Sequence, residues 1–127
     1  VKPIKTYLGE INLFAEIENE DDVKNIKPDF DKLINLEGQG LIISSKSQQF
    51  DFVSRYFCPK YGINEDPVTG SAHTTLIPYW ADKLNKSSMT AKQISKRGGI
   101  LYCTNLDERV LIGGKAVLYM KGEIEIT

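Results

Sequence analysis

From Gly70 to Leu84 the chain carries apolar residues around most of a helical girth. Ala72, Leu76, Trp80 and Leu84 recur every four residues, and Ile77, Tyr79 and Ala81 widen the surface they form. A helix of this kind is buried rather than laid on a surface. The rest of the chain must therefore supply apolar faces to cover it. Pro78 lies well inside the pattern. It removes a backbone bond to the Thr74 carbonyl, a loss of about 3 kcal/mol in a helix interior. A kink is expected there, with burial offsetting the loss.

The covering elements read as strands. Ile11, Leu13, Ala15 and Ile17 alternate as in a half-buried strand. Leu41–Ile43 is a short apolar run entered through Gly38 and Gly40, and Phe50–Phe57 follows as another strand. After the helix come Thr90–Lys96, Ile100–Cys103, Arg109–Ile112 and Ala116–Ile126, punctuated by Gly98–Gly99, Asn105–Asp107 and Gly113–Gly114. Between the first two strands, Val23, Ile26, Phe30 and Leu33 suggest two helical turns broken by Pro28, starting near Asn19 or Glu20 and near Asp29. The acidic run Glu18–Asp22 then offsets the positive end of a helix dipole. Three strands, a buried helix and four strands give an α+β class: one domain, residues 1–127, with a mostly antiparallel curved sheet wrapped around a central buried helix.

Charge narrows the possible partners. With 16 basic against 17 acidic residues and a net charge of −1, no basic cluster draws the chain to nucleic acid or to an anionic membrane. The longest stretch without formal charge, Pro67–Ala81, is 15 residues and too polar to span a bilayer. Cys58 and Cys103 stand far apart with no CxxC or Cys/His cluster. That argues against zinc and against a disulfide scaffold, and it fits a reducing cytoplasm.

Asp66–Ser71 is the stretch that core packing explains least. Gly70 and Ser71 open the helix, whose first turn leaves backbone N–H groups without intrahelical partners. Those donors and the helix dipole suit a carboxylate or phosphate. Gly70 admits a ligand close to the backbone, the Ser71 hydroxyl adds a donor, and Asp66 holds a carboxylate beside them. An acid next to an anion site is suited to proton transfer. The plainer reading makes Thr69 or Ser71 a helix cap and Asp66-Pro67 a loop entry. His73, the only histidine, sits one turn into the helix, where a neutral structural ring is favoured. Arg55 is placed to pair with Glu65 or Asp66 and to hold the loop. Arg97 reads as a turn entry, Trp80 and Tyr79 as core, and Tyr56, Phe57 and Tyr61 as either core or cleft wall.

Several segments also resemble consecutive motifs of one family. They are DFVSRYFCP at Asp51–Pro59, EDPVTGSAH at Glu65–His73, PYW at Pro78–Trp80, QISKRGG at Gln93–Gly99 and GGKA at Gly113–Ala116. In order and spacing they resemble the C-terminal half of phenazine-biosynthesis PhzF-like isomerases, across essentially the whole chain. The resemblance implies a diaminopimelate-epimerase-like fold, in which two similar halves face each other across a cleft. It further implies proton transfer without cofactor or metal; the family's characterised member isomerises a dihydro-hydroxyanthranilate. Asp66 would be an assisting carboxylate, with Thr69, Gly70 and Ser71 binding the carboxylate of a small-molecule substrate.

Two departures limit that transfer. The family's principal base is a glutamate in the N-terminal half, which this chain does not contain, and Glu65 does not replace it. Related racemases place a cysteine just before this Gly-Ser, where Thr69 stands here, so two-cysteine racemisation is disfavoured. The expectation is the C-terminal domain of a cytoplasmic biosynthetic isomerase, paired with its N-terminal half or with a second copy as a homodimer. A non-catalytic binding or assembly module is the alternative. An exposed apolar surface is expected where the missing half would sit.

Overall fold

The computed structural model describes residues 1–127. The elements are β1 (Lys5–Leu8), β2 (Leu13–Glu16), α1 (Glu20–Asn25), α2 (Phe30–Leu33), β3 (Leu41–Lys46), β4 (Phe52–Cys58), β5 (Ile63–Asp66), α3 (Gly70–Leu84), β6 (Ser88–Gln93), β7 (Gly99–Leu106) and β8 (Arg109–Gly113), with a 3-10 turn at Pro59–Tyr61. All eight strands join one mixed, mostly antiparallel sheet in the order β1-β2-β3-β4-β6-β7-β8, and β5 also pairs with β4. The pairs β2–β3 and β4–β6 are parallel. Parallel neighbours require a crossover. Helices α1 and α2 make the first, and β5 with α3 makes the second.

The two crossovers lie on opposite faces of the sheet, and strand alternation sorts the side chains between them. Phe14, Ile42, Phe52, Tyr56, Met89, Ala91, Leu101 and Cys103 pack with α3. Ala15, Ile17, Ile43 and Phe57 pack with Val23 of α1. On the α3 side, Trp80 stacks on Phe52 with ring centroids 5.8 Å apart. Its indole Nε1 donates to Ser44 Oγ at 2.9 Å, and Ser44 in turn donates to the Val53 carbonyl at 2.6 Å. Buried Glu16 accepts from the Tyr79 hydroxyl at 2.5 Å and pairs with Lys83, fixing the last turns of α3 to β2. Burial works to raise the Glu16 pKa, but the bonds from Lys83 and Tyr79 outweigh it and hold the carboxyl below its usual range. Both cysteines are buried and free.

The helical turns begin at the expected caps. Asn19 and Asp29 accept backbone N–H groups of Asp22 and Lys32. Three expectations change. First, β1 and β5 are strands the sequence pattern did not reveal, because all four residues of β1 are exposed and β5 is mostly polar. Second, β6 covers Ser88–Gln93 rather than Thr90–Lys96. The chain leaves it at a turn in which Gly98 adopts φ +69°. Third, the expected strand Ala116–Ile126 is unpaired, and residues 114–127 carry no regular structure. Val117, Leu118, Tyr119, Met120, Ile124 and Ile126 are each more than three-quarters exposed. Their pattern is that of a strand, but no edge of this sheet hydrogen-bonds to them.

Helix α3 runs unbroken through Pro78 and buries Ala72, His73, Leu76, Ile77, Trp80 and Ala81. It is covered from one side. Gly70, Ser71, Thr74, Pro78 and Asp82 form an exposed stripe. Because Pro78 and Thr74 both lie on that stripe, the carbonyl deprived of its partner is on the open side, where water can serve it.

Candidate functional site

Strand β4 divides its edge between two neighbours. Phe52, Val53 and Ser54 pair with β6, whereas Tyr56, Phe57 and Cys58 pair with β5. The sheet forks at Arg55. The segment Pro67–Thr69 then links the end of β5 to the start of α3.

Alternation along β5 sends its two acids to opposite faces. Glu65 is opposite Phe57, on the α1 side, and Asp66 is opposite Tyr56, on the α3 side. Arg55 shares the α1 face and takes Glu65 as a bidentate partner, with Nε to Oε1 at 2.7 Å and Nη2 to Oε2 at 2.9 Å. Its Nη1 donates to the carbonyls of Val23, Lys24 and Ile26 at the end of α1. Arg55 thus joins β4, β5 and α1 and does not contact Asp66.

Asp66 and Thr69 come together. The Thr69 hydroxyl donates to Asp66 Oδ2 at 2.5 Å. Thr69 occupies the N-cap position of α3, yet no side chain caps the helix. The hydroxyl that would turn back to the first-turn N–H groups is engaged by Asp66 instead. Gly70 and Ser71 are exposed at that helix start, and a Cβ added at Gly70 would meet open space. Beside Gly70 lies a cavity of about 590 Å³, walled by Val68, Ile100, Tyr102 and Ile112 with Arg97 and Lys115 among its lining. An uncapped helix N-terminus thus borders a cavity with two cations and an apolar wall, while the Asp66 carboxylate, bonded to Thr69, is not part of that lining. Such a set suits a small carboxylate with an apolar body.

Thr69 is tied into the loop. Only 7% exposed, it donates its N–H to Gln93 Oε1 at 2.8 Å and its hydroxyl to Asp66. Both of its donors are used within the protein, so Gly70 and Ser71 are the residues left facing solvent.

Two residues that the sequence placed in the QISKRGG motif without a role of their own hold this loop. Gln93 donates to the Asp66 carbonyl at 2.8 Å and to Thr69 Oγ1 at 3.1 Å. Ser95 donates to the Pro67 carbonyl at 2.6 Å and accepts the Gly98 N–H at 3.0 Å. A signal for Gln93 was available. Met89, Ala91 and Gln93 occupy every second position of β6 and are all buried, so Gln93 is a polar residue in an inward register. Such a group needs internal partners. Gly99 closes the loop from the other side, where a Cβ would come within 2.5 Å of Val68 Cγ2.

His73 is fully buried and hydrogen-bonds through Nδ1 to the Thr69 carbonyl at 2.7 Å, leaving Nε2 without a protein partner. Burial lowers its pKa, against the opposing pull of that carbonyl, and favours the neutral ring. Tyr56 is core, donating to Asn12 Oδ1 at 2.8 Å. Burial, then Cys58, Tyr61 and Asp66, raise its pKa to about 12. Phe57 is core and Tyr61 is exposed. No group of three or more His, Cys, Asp or Glu is placed to hold a metal ion, and no helix is long and apolar enough to cross a membrane.

Residues 2–122 match the family model described as phenazine biosynthesis-like protein. An uncharacterized isomerase of Pseudomonas aeruginosa is 50% identical over 125 residues, covering 98% of this chain and 48% of that protein. A phenazine biosynthesis protein of the PhzF family from Enterococcus faecalis superposes with a TM-score of 0.89 at 48% identity, over 98% of this chain and 48% of that one. A putative PhzC/PhzF protein from Clostridium difficile gives 0.88 at 45% identity, over 99% and 49%. The chain spans about half the length of the curated relatives it matches.

Proposed function

Because the chain belongs to the phenazine biosynthesis-like family, we propose that it is the C-terminal half of an isomerase that moves a proton on a small carboxylate-bearing substrate. The observation that carries this reading is the Thr69 hydroxyl, turned from α3 onto Asp66. It leaves a helix start open to an anion beside Thr69, whose hydroxyl holds the Asp66 carboxylate.

In this reading the substrate carboxylate binds the first-turn N–H groups at Gly70 and Ser71, where the dipole is positive. Its apolar body lies against Val68, Ile100 and Tyr102 in the adjoining cavity. Asp66 assists as acid or base at the reacting atom, Thr69 orients Asp66, and Arg55 supports the loop through Glu65. The principal base belongs to the N-terminal half. When that half closes over the site it covers the exposed stripe of α3, making the helix central, and it excludes water from the reaction. The apolar segment 117–126 is the surface that meets it.

The same segment favours a second reading, in which this chain is an assembly module that binds a second copy of itself without catalysis. Titration of the 127-residue chain with benzoate and 2-aminobenzoate, followed by amide NMR, tests the anion site. Shifts centred on Gly70–Ala72 are the expected result, and their absence counts against the reading. Deuterium exchange into a dihydro-hydroxyanthranilate is expected from the two-half protein and not from this chain alone. Substantial turnover by this chain alone defeats the assignment of the principal base.

A further inference from the structure

We propose that Gln93 is the positioning residue that fixes which way the Thr69–Asp66 hydrogen bond points, and so leaves Oδ1 as the Asp66 oxygen that exchanges a proton. The consequence for turnover rests on the isomerase reading; the orientation itself does not.

The argument is a count of donors and acceptors. A backbone N–H only donates, so the atom of Gln93 that faces Thr69 N at 2.8 Å is the carbonyl oxygen. The Gln93 amide nitrogen is thereby turned toward the Asp66 carbonyl at 2.8 Å and Thr69 Oγ1 at 3.1 Å. The Asp66 carbonyl only accepts, so it independently requires the same orientation. Gln93 is fully buried, so no water competes for these groups.

Thr69 Oγ1 receives one Nε2 hydrogen and must send its own proton elsewhere. The acceptor in line is Asp66 Oδ2 at 2.5 Å. Oδ2 is an acceptor in this bond, so a proton carried by Asp66 resides on Oδ1. One rigid amide thus sets the polarity of a two-step chain that ends on the carboxyl of the site. Its backbone is rigid as well, because Gln93 pairs with Ser54 of β4 on one side and Gly99 of β7 on the other. A site held by such an element keeps its geometry better than one built on loops alone. It also explains why Thr69 stands at the N-cap position without capping.

The test is NMR on the labelled 127-residue chain, with Thr69→Val used to identify the Thr69 hydroxyl proton. In the unsubstituted chain this proton is expected as a slowly exchanging, downfield resonance. In Gln93→Met, of similar volume but with no amide, it is expected to move upfield and broaden while the amide spectrum stays that of the folded chain. Gln93→Glu keeps an acceptor for Thr69 N but has no Nε2. It is expected to draw the hydroxyl to itself and away from Asp66, which gives a second readout if the methionine variant does not fold. An unchanged hydroxyl resonance in a folded variant overturns the proposal.

In the two-half protein, Gln93→Met is expected to lower kcat for deuterium exchange by roughly tenfold or more through misplacement of Asp66, with KM little altered. A normal kcat overturns the positioning role. If the unsubstituted two-half protein exchanges no deuterium, the isomerase reading fails, and the hydroxyl resonance alone decides the role of Gln93.

Discussion

Removing the Arg55 side chain is the sharpest available test of how the fork in the sheet is held. The guanidinium makes two short bonds to Glu65 and reaches the carbonyls of Val23, Lys24 and Ile26. Its side chain is 13% exposed and that of Glu65 21%, so water screens the pair only in part. Hydrogen bonds in which one group is charged, as all of these are, contribute up to about 1.5–3 kcal/mol each. Nη1 has two hydrogens for three carbonyls, so its contribution is that of two bonds at most. Because such contributions are screened and not additive, Arg55→Met is expected to cost about 3–5 kcal/mol, the range for breaking a buried pair. Glu65→Gln retains one acceptor oxygen and leaves the carbonyl contacts intact, so about 1–1.5 kcal/mol is expected. Urea denaturation of the single and double variants measures these values, with m unchanged if only stability has altered. A loss below about 1 kcal/mol for Arg55→Met refutes the argument. Equal losses for the two single variants refute the part given to the α1 carbonyls.

Other perturbations address the loop and its helix. Gly99→Ala brings a methyl against Val68 Cγ2 and is expected to destabilise by about 1–3 kcal/mol, with Val68→Ala restoring most of the loss in thermal melts. His73 is buried with a lowered pKa, so below its unfolded value of about 6.5 the unfolded chain binds a proton that the native chain does not. Stability is then expected to be full above that pH and to fall as the pH drops below it, by no more than about 1.4 kcal/mol per pH unit. His73→Gln should flatten that slope in urea titrations, and an unchanged slope assigns it to other groups. Asp66→Asn in the two-half protein should reduce turnover about a hundredfold or more; unchanged turnover removes Asp66 from the mechanism.

Much of the architecture was legible because it rests on period and punctuation. Strands β2, β3, β4 and β8 follow apolar runs and alternations, α3 fills the predicted Gly70–Leu84 span, and Asn19 and Asp29 cap the helices they announce. Strands β1 and β5 were not legible, since an exposed or polar edge strand carries no apolar signature. The segment Ala116–Ile126 shows the converse. Its residues have the strand pattern, but a strand forms only where an edge hydrogen-bonds to it, and neither open edge of this sheet, β1 or β8, does so.

The sequence alone determined that an acid precedes an apolar helix opening in Gly-Ser, and the motifs around it pointed to the family that the chain belongs to. It left Glu65 and Asp66 as adjacent carboxylates of equal standing toward Arg55. Tertiary structure separated them. Pairing of β5 with β4 sets the two acids on opposite faces, giving Glu65 to Arg55 and Asp66 to Thr69. Only the parallel placement of β6 brings Gln93 from 24 positions away to Thr69. These outcomes depend on strand register and on which face each crossover covers. Both are contacts between distant segments that a local pattern does not encode.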